Sequence, residues 1–156
     1  MKKGFFVAVA AMVVCSAATL FADGPKSGLG VGVNRGGPAT SGVQVQYAIN
    51  HDFHVGTQVG FRISDGTDLT IAPYAKYFLG GSTVRPYAIG QFAISSRSVA
   101  GTSSTGINLG GGAQYWISER FGIFGQISVV EIPISPSGQD IAFGILTPSI
   151  GLELFF

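Results

Sequence analysis

The chain has 156 residues, of which only 11% are charged and 46% are hydrophobic, and its formal net charge is +1. This length suits a single domain. Because nine basic residues nearly balance eight acidic ones, the chain has no basic face, which excludes nucleic acid as a partner.

Residues 1–22 have the layout of a cleavable secretory signal peptide. Lys2 and Lys3 form its positive start, residues 5–14 are apolar, and Ala22 is the expected last residue before cleavage, with Ala18 as the alternative. The apolar stretch is too short to span a membrane as a helix. Removal of residues 1–22 also removes Lys2 and Lys3. Seven basic residues then remain against eight acidic ones, which gives a net charge of about −1.

Cys15, the single cysteine, lies inside this segment, so the exported chain would contain no disulfide. Acylation of Cys15, as in a lipoprotein, is the less favoured alternative because Val14 is bulkier than the small residue that such a site requires before the cysteine.

Beyond residue 22 the hydrophobic residues are spread over many short segments, and no helix-length apolar run occurs. Within each segment apolar and polar or small residues alternate, which is the period of a β-strand with two different faces. Short turns alternate with longer loops, of which 95–104 is the longest. The predicted strands are 28–35, 42–49, 53–63, 69–79, 84–94, 106–117, 121–132 and 141–156.

This pattern predicts an all-β domain over residues 23–156, an eight-stranded antiparallel up-and-down transmembrane β-barrel. With an even number of strands, both termini lie at the periplasmic end and the longer loops face outward.

Charge fixes which face of each strand lines the interior, because a Lys or Arg on the lipid face at mid-membrane costs about 2–4 kcal/mol. One choice of face turns Arg62, Lys76, Arg85 and Glu153 inward together with the strand glutamines, whereas a slip of one residue would turn all of them outward. We therefore predict a charge cluster in the lumen, formed by these four residues, with Glu153 paired to Lys76 or Arg85.

The same choice of face places aromatic side chains outward at the periplasmic ends of the strands. Such a ring is the aromatic girdle that membrane barrels carry at the lipid–water interface. The predicted girdle residues are Tyr47, Phe53, Tyr77, Tyr115, Phe121 and Phe156.

The last eight residues, Ser149 to Phe156, alternate between one apolar and one polar face and stop on an aromatic residue. They resemble the C-terminal insertion signal of bacterial outer-membrane barrels, which the barrel assembly machinery recognises. The residues that carry this resemblance are Ser149, Gly151, Leu154 and Phe156.

Residues 67–78 (TDLTIAPYAKYF) and 84–90 (VRPYAIG) look like the central hairpin of small OmpA-type barrel domains. The resemblance implies an eight-stranded outer-membrane barrel whose partners are outer-membrane lipid and lipopolysaccharide. The family includes anchors, adhesion or defence proteins and small channels. This chain departs from the anchors in lacking a peptidoglycan-binding domain, and from the adhesive members in having short loops.

No catalytic, cofactor or metal site is predicted. Glycines 28, 30 and 32 fall on one strand face, whereas a dinucleotide loop needs a strand-to-helix turn. His51 and His54 lie at a periplasmic turn without the ligands of a metal site or the partners of a hydrolase triad. Aspartates 65, 68 and 140 are interpreted as solvated loop residues.

The expected role is therefore structural or interactive at the cell envelope and non-enzymatic. The main alternative is transport, through a narrow pore or a lumen that binds a small lipid or solute. Its support is the small lumen residues and four large side chains expected to face inward, Tyr87, Ile89, Phe124 and Phe143. A soluble secreted β-sandwich is the third possibility.

Overall fold

The computed structural model describes residues 23–37, 41–63, 67–81, 83–97, 102–136 and 140–156, so the predicted signal peptide lies outside the described residues. Each strand pairs antiparallel with its neighbours in sequence, and β1 pairs with β8 to close a barrel. The strands are β1 (Gly28–Gly36), β2 (Ser41–Ala48), β3 (Phe53–Ile63), β4 (Thr67–Phe78), β5 (Val84–Arg97), β6 (Thr102–Trp116), β7 (Phe121–Ser135) and β8 (Ala142–Phe155). No helix that is long and apolar enough to cross a membrane occurs in the described parts of the chain.

The two ends of the barrel differ in their connections. At one end, called here the turn end, residues 49–52 and 117–120 join the strands, β4 ends and β5 begins, and Phe156 follows β8. Asn50 Oδ1 accepts hydrogen bonds from the backbone N–H groups of Asp52 and Phe53, both at 2.9 Å, so this side chain stabilises the tight turn. The opposite end of the barrel is called here the loop end.

Side chains alternate strictly between the interior and the outer wall along most of each strand. In β4, Ile71 and Tyr77 are exposed on the wall, whereas Tyr74, Lys76 and Phe78 are buried inside. The core of the molecule is therefore the filled barrel interior, and its polar residues lie inside rather than outside.

The strands at the loop end are longer than the sequence predicts. β5 reaches Arg97 and β6 begins at Thr102, so most of the predicted loop 95–104 is paired, with Ser95 opposite Ser104. Asp68, interpreted as a loop residue, lies in β4 opposite Arg97. Backbone pairing does not require apolar side chains, which explains why polar strand ends look like loops in the sequence.

Phe143 does not face the interior as the transport alternative assumed. The register of β7 and β8 shifts between Ser128 and Val130, and beyond this irregularity Phe143 lies opposite Val130. Phe143 is 74% exposed. A bulge of this kind reverses which face a side chain occupies, and period-two alternation alone cannot reveal it.

The barrel wall is uneven in height. β1 and β2 contain nine and eight residues, whereas β6 and β7 contain fifteen each. The β1–β8 seam has seven residue pairs, Gly30–Phe155 to Gly36–Ser149, whereas β5 and β6 share fourteen, from Val84–Tyr115 to Arg97–Thr102.

Candidate functional site

The carboxylate of Glu153 lies in the barrel interior and is held by donors from three other strands. Its Oε1 accepts hydrogen bonds from Lys76 Nζ and, at 2.7 Å, from Gln44 Nε2. Its Oε2 accepts one from Gln114 Nε2 at 2.6 Å. The Lys76 and Glu153 side chains are both fully buried. The structure therefore brings together two residues of the predicted charge cluster as a buried ion pair with additional hydrogen bonds.

Aromatic rings enclose the ammonium of Lys76. Its Nζ lies 4.5 Å from the centre of the Phe124 ring, 5.2 Å from that of Tyr87 and 5.5 Å from that of Tyr74. At such distances a desolvated cation is attracted by the negative face of a ring. Ring contacts and the Glu153 carboxylate together compensate for the lost hydration of this buried charge.

A chain of glutamine amides leads from β5 to the Glu153 carboxylate. Gln91 Nε2 donates to Gln58 Oε1 at 3.2 Å, and Gln58 Nε2 donates to Gln44 Oε1 at 3.3 Å. Gln44 then donates to Glu153, so every amide in the chain points its N–H toward the carboxylate. Because a carboxylate can only accept, Glu153 fixes the orientation of the whole chain.

Arg85, which was expected to be a possible partner of Glu153, instead binds the turn between β2 and β3. Its Nη2 donates to Asp52 Oδ1 and its Nη1 to the backbone oxygen of His51, both at 2.6 Å. The Arg85 side chain is fully buried, whereas that of Asp52 is 54% exposed. The buried Arg85 side chain therefore links the turn between β2 and β3 to the barrel interior.

Arg62 does not join the interior charge cluster. It is exposed at the loop end of β3, opposite Asp68. Asp68 Oδ1 in turn lies 3.3 Å from Arg97 Nε on the neighbouring strand. These charges surround the mouth of the barrel, whereas the lysine–glutamate pair lies inside it. Strand pairs in a closed barrel are staggered, so residues on equivalent faces lie at different heights.

Trp116 and the first described residues close the turn end. Trp116 is fully buried and packs against Phe155, with ring centres 5.8 Å apart. Gly24 lies so close that a Cβ at this position would be 2.5 Å from Trp116 Cε2. His51 Nε2 lies 2.7 Å from the backbone oxygen of Asp23, which holds this segment across the opening.

His54 is a packed interior residue. It is fully buried between the rings of Phe78 and Phe155, with centres 4.8 Å and 5.4 Å away. Among the described residues neither ring nitrogen has a hydrogen-bond partner. His51, the other histidine, is partly exposed beside Asp52. In the described ranges no three His, Cys, Asp or Glu side chains come together as metal ligands.

The six predicted girdle residues all lie on the outer wall near the turn end, which follows from the strand pairing. Phe53 is opposite Tyr77, and Phe121 is opposite Leu154 on the last strand. Tyr47, Tyr77 and Phe156 are 50%, 54% and 67% exposed, while the other three, Phe53, Tyr115 and Phe121, are partly covered.

The residues of the predicted insertion signal divide between the two faces of β8. Ser149 and Gly151 are buried and face inward, whereas Leu154 and Phe156 are on the outer wall. The backbone N–H of Phe156 donates to the oxygen of Leu29 at 2.9 Å, so the end of the chain is paired with β1.

Sequence reasoning placed the glutamines inside the barrel but did not identify which of them hold Glu153. Gln44 and Gln114 come from β2 and β6, and their convergence depends on the stagger of the closed barrel. Trp116 was not identified from the sequence as an interior residue. Its position next to the turn at residues 117–120 is consistent with its place at the turn end of the interior.

The fold and this site therefore define the chain as a closed eight-stranded antiparallel β-barrel with a packed, polar interior. The N-terminal β-barrel domain of OprF from Pseudomonas aeruginosa has a similar structure, with a TM-score of 0.64 and 16% sequence identity over 85% of this chain and 99% of that domain. Neisserial surface protein A (NspA) is similar at a TM-score of 0.50 and 16% identity, over 83% of this chain and 96% of that protein. The resemblance to small OmpA-type barrels is thus confirmed at the level of the fold. No protein-family model matches the chain, and no curated protein matches it.

Proposed function

We propose that the chain is a small integral protein of the outer membrane of a Gram-negative-type bacterium, exported with residues 1–22 as a cleaved signal. The observation that carries this proposal is the inverted polarity of the barrel. Lys76, Arg85 and Glu153 are buried inside, whereas large apolar side chains such as Val45 and Leu152 are 47% and 41% exposed on the wall. Exposure of this apolar wall to water would be unfavourable, whereas contact with lipid is favourable.

The closed sheet supports the same proposal. All eight strands are paired on both sides over their central parts, so their backbone polar groups do not need water. The outward aromatic residues near the turn end then lie at the periplasmic interface of the membrane. Outer-membrane lipid and lipopolysaccharide are the surrounding partners, and the barrel assembly machinery is the partner during insertion.

Within the membrane the barrel acts as a structural or interacting element rather than as an enzyme. Tyr87, Phe124 and the pair of Lys76 with Glu153 fill the middle of the interior, and Trp116 covers the turn end. Contacts with other envelope components would then be made by the outer wall and the loop end.

Cell fractionation combined with a heat-modifiability gel tests the location and the fold together. A closed barrel resists detergent until it is boiled, so we expect unboiled and boiled samples from the outer-membrane fraction to migrate differently. Recovery of the protein in the soluble periplasm without a mobility shift would overturn the proposed membrane location.

A narrow pore is the second candidate function, because the interior is polar and could conduct if the Lys76–Glu153 pair parted. Planar-bilayer recording of the purified barrel separates the two. Discrete conductance steps that become larger or more frequent in Glu153→Gln, where the pair is broken, would favour the pore. A membrane-inserted barrel without such steps would favour the structural role.

A further inference from the structure

Arg35 places a charge on the otherwise apolar outer wall. Its cross-strand neighbours, Ser41 on β2 and Ile150 on β8, are exposed on the same wall, whereas the adjacent Asn34 is buried inside. On the outer faces of the described strands Arg35 is the one charged side chain, and no acidic side chain in the described ranges forms an ion pair with it. Its charge is therefore left to whatever surrounds the wall.

The depth of Arg35 follows from the strand pairing, provided that the barrel spans the outer membrane as proposed above. Its neighbours Ser41 and Ile150 lie six residues from Tyr47 and Phe156, two members of the aromatic girdle. Six residues cover about 20 Å along a strand, or about 15 Å along the barrel axis at a strand tilt of about 40°. The apolar band of such barrels is about 25 Å tall, so Arg35 lies about 10 Å below its outer edge.

The opposite side of the barrel is taller. There β5 and β6 remain paired as far as Arg97 and Thr102, which is long enough to cross the apolar band. On the short side a guanidinium would lie in hydrocarbon, which is costly. Extension of the arginine side chain toward the interface covers part of the distance. Local thinning of the bilayer, which brings an anionic headgroup down to Arg35, covers the rest.

A shallow apolar groove lies on the wall directly below Arg35. Val33 and Val43 line it toward the loop end, and Phe121 lines it toward the turn end. All the outward side chains along it are apolar. An apolar groove with a cation at its upper end matches a lipid, whose acyl chain lies below an anionic headgroup.

We propose that Arg35 and this groove bind lipopolysaccharide of the outer leaflet, with a lipid A phosphate on the guanidinium and an acyl chain in the groove. A guanidinium offers paired N–H groups that match two phosphate oxygens. The loop end, where Arg35 lies, faces the outer leaflet in the proposed orientation. A second copy of the chain fits this face less well, because a two-fold axis through the groove would bring two Arg35 side chains together without an acidic partner.

The test is native mass spectrometry of the purified folded barrel in detergent, titrated with lipid A and with dephosphorylated lipid A. Arg35→Gln removes the charge, and Arg97→Gln is the matched control because Arg97 is exposed at the mouth beside Asp68. Val33→Phe fills the groove, and Ile94→Phe is the control on the outer wall of β5. Heat modifiability shows that each variant is folded.

We expect both control variants to bind lipid A as tightly as wild type. Arg35→Gln and Val33→Phe should bind it about tenfold more weakly, and wild type should lose the same factor toward dephosphorylated lipid A. Equal binding of the two lipids by folded wild type, or binding of neither, would overturn this assignment and leave the proposed membrane location intact. Undiminished binding by Arg35→Gln or Val33→Phe would also overturn it, as would a wild-type dimer that Val33→Phe dissociates.

Discussion

Glu153 and Lys76 are dehydrated charges whose stability depends on each other. Both side chains are fully buried, and the carboxylate also accepts hydrogen bonds from Gln44 and Gln114. Removing one partner of such a pair leaves an uncompensated charge, which is far more costly than removing both. The pair is therefore the position at which a single change of charge should affect the barrel most.

Glu153→Gln should destabilise the folded barrel by about 3–5 kcal/mol, because Lys76 would keep its charge without a counter-ion. Urea unfolding of the barrel in lipid vesicles measures this change. The double variant Lys76→Met with Glu153→Gln should recover most of the loss, since it removes both charges. An unfolding midpoint for Glu153→Gln equal to that of wild type would show that the pair is not important for stability.

Asp52→Asn provides the matched control for that prediction. Asp52 also pairs with a buried cation, Arg85, but its side chain is 54% exposed, and Arg85 keeps its hydrogen bond to the backbone of His51. Solvent screens this half-exposed carboxylate, so the change should cost less than Glu153→Gln, although it leaves the Arg85 guanidinium buried without its counter-ion.

At the scale of the strands, glycines and aromatic rings are matched across the interior. A Cβ on Gly56 would lie 2.8 Å from Tyr74 Cζ, and one on Gly112 would lie 2.7 Å from Tyr87 Cζ. Gly30 has the same relation to Phe155. Each ring lies over a glycine of another strand, so the missing side chain provides the space that the ring fills.

Gly112→Val should therefore destabilise the barrel by about 1–3 kcal/mol, because the added atoms would overlap the backbone oxygen of Gly125 as well as the Tyr87 ring. Gly125→Val is the control on the neighbouring strand, since a Cβ on Gly125 meets nothing within 4 Å. Urea unfolding of the two variants beside wild type is the measurement. Equal destabilisation by both would mean that loss of glycine itself, rather than overlap with neighbouring atoms, is responsible.

A substitution on the outer face of a strand tests whether this wall contacts lipid. Val45 lies on the wall in the middle of β2, opposite Val31 and Thr57. In the proposed membrane setting, Val45→Lys should cost about 2–4 kcal/mol, whereas Val45→Leu should be close to neutral. Folding yield in vesicles and the urea midpoint report the difference. A fully tolerated lysine would argue that this wall does not face lipid.

Strand positions and faces could be predicted from the sequence because alternation is a local property. β3 matches its predicted range, and the inward position of Lys76, Arg85 and Glu153 agrees with the structure. The paired strand ends at the loop end and the outward position of Phe143 could not be predicted, since both depend on pairing with a neighbouring strand.

For the molecule as a whole, the height of each residue in the barrel could not be predicted from a list of strands. Arg62, Lys76 and Arg85 share the inward face, yet they lie at the mouth, in the middle and near the turn end. Those heights are set by the stagger accumulated around the closed sheet. This is why the sequence indicated two possible partners for Glu153 and why Arg85 pairs with Asp52 instead.

The last two residues, Phe155 and Phe156, are expected to affect different properties, the first stability and the second assembly. Phe155 is buried between His54 and Trp116, so Phe155→Ala should cost about 3–5 kcal/mol in urea unfolding. Phe156 is 67% exposed on the wall, so Phe156→Ala should leave the midpoint nearly unchanged. If Phe156 is part of an insertion signal, the same variant should lower the amount of folded barrel in cells. Normal cellular levels of Phe156→Ala would contradict that role.

The short pairings around β1 and β2 have a consequence for the motions of the barrel. Seven residue pairs join β1 to β8 and seven join β2 to β3, against fourteen between β5 and β6. Local opening begins where the fewest hydrogen bonds must break together, so backbone amides of β1 and β2 should exchange with deuterium sooner than those of β5 and β6. Hydrogen-exchange mass spectrometry would then show a closed barrel that opens locally on one side, at its first two strands.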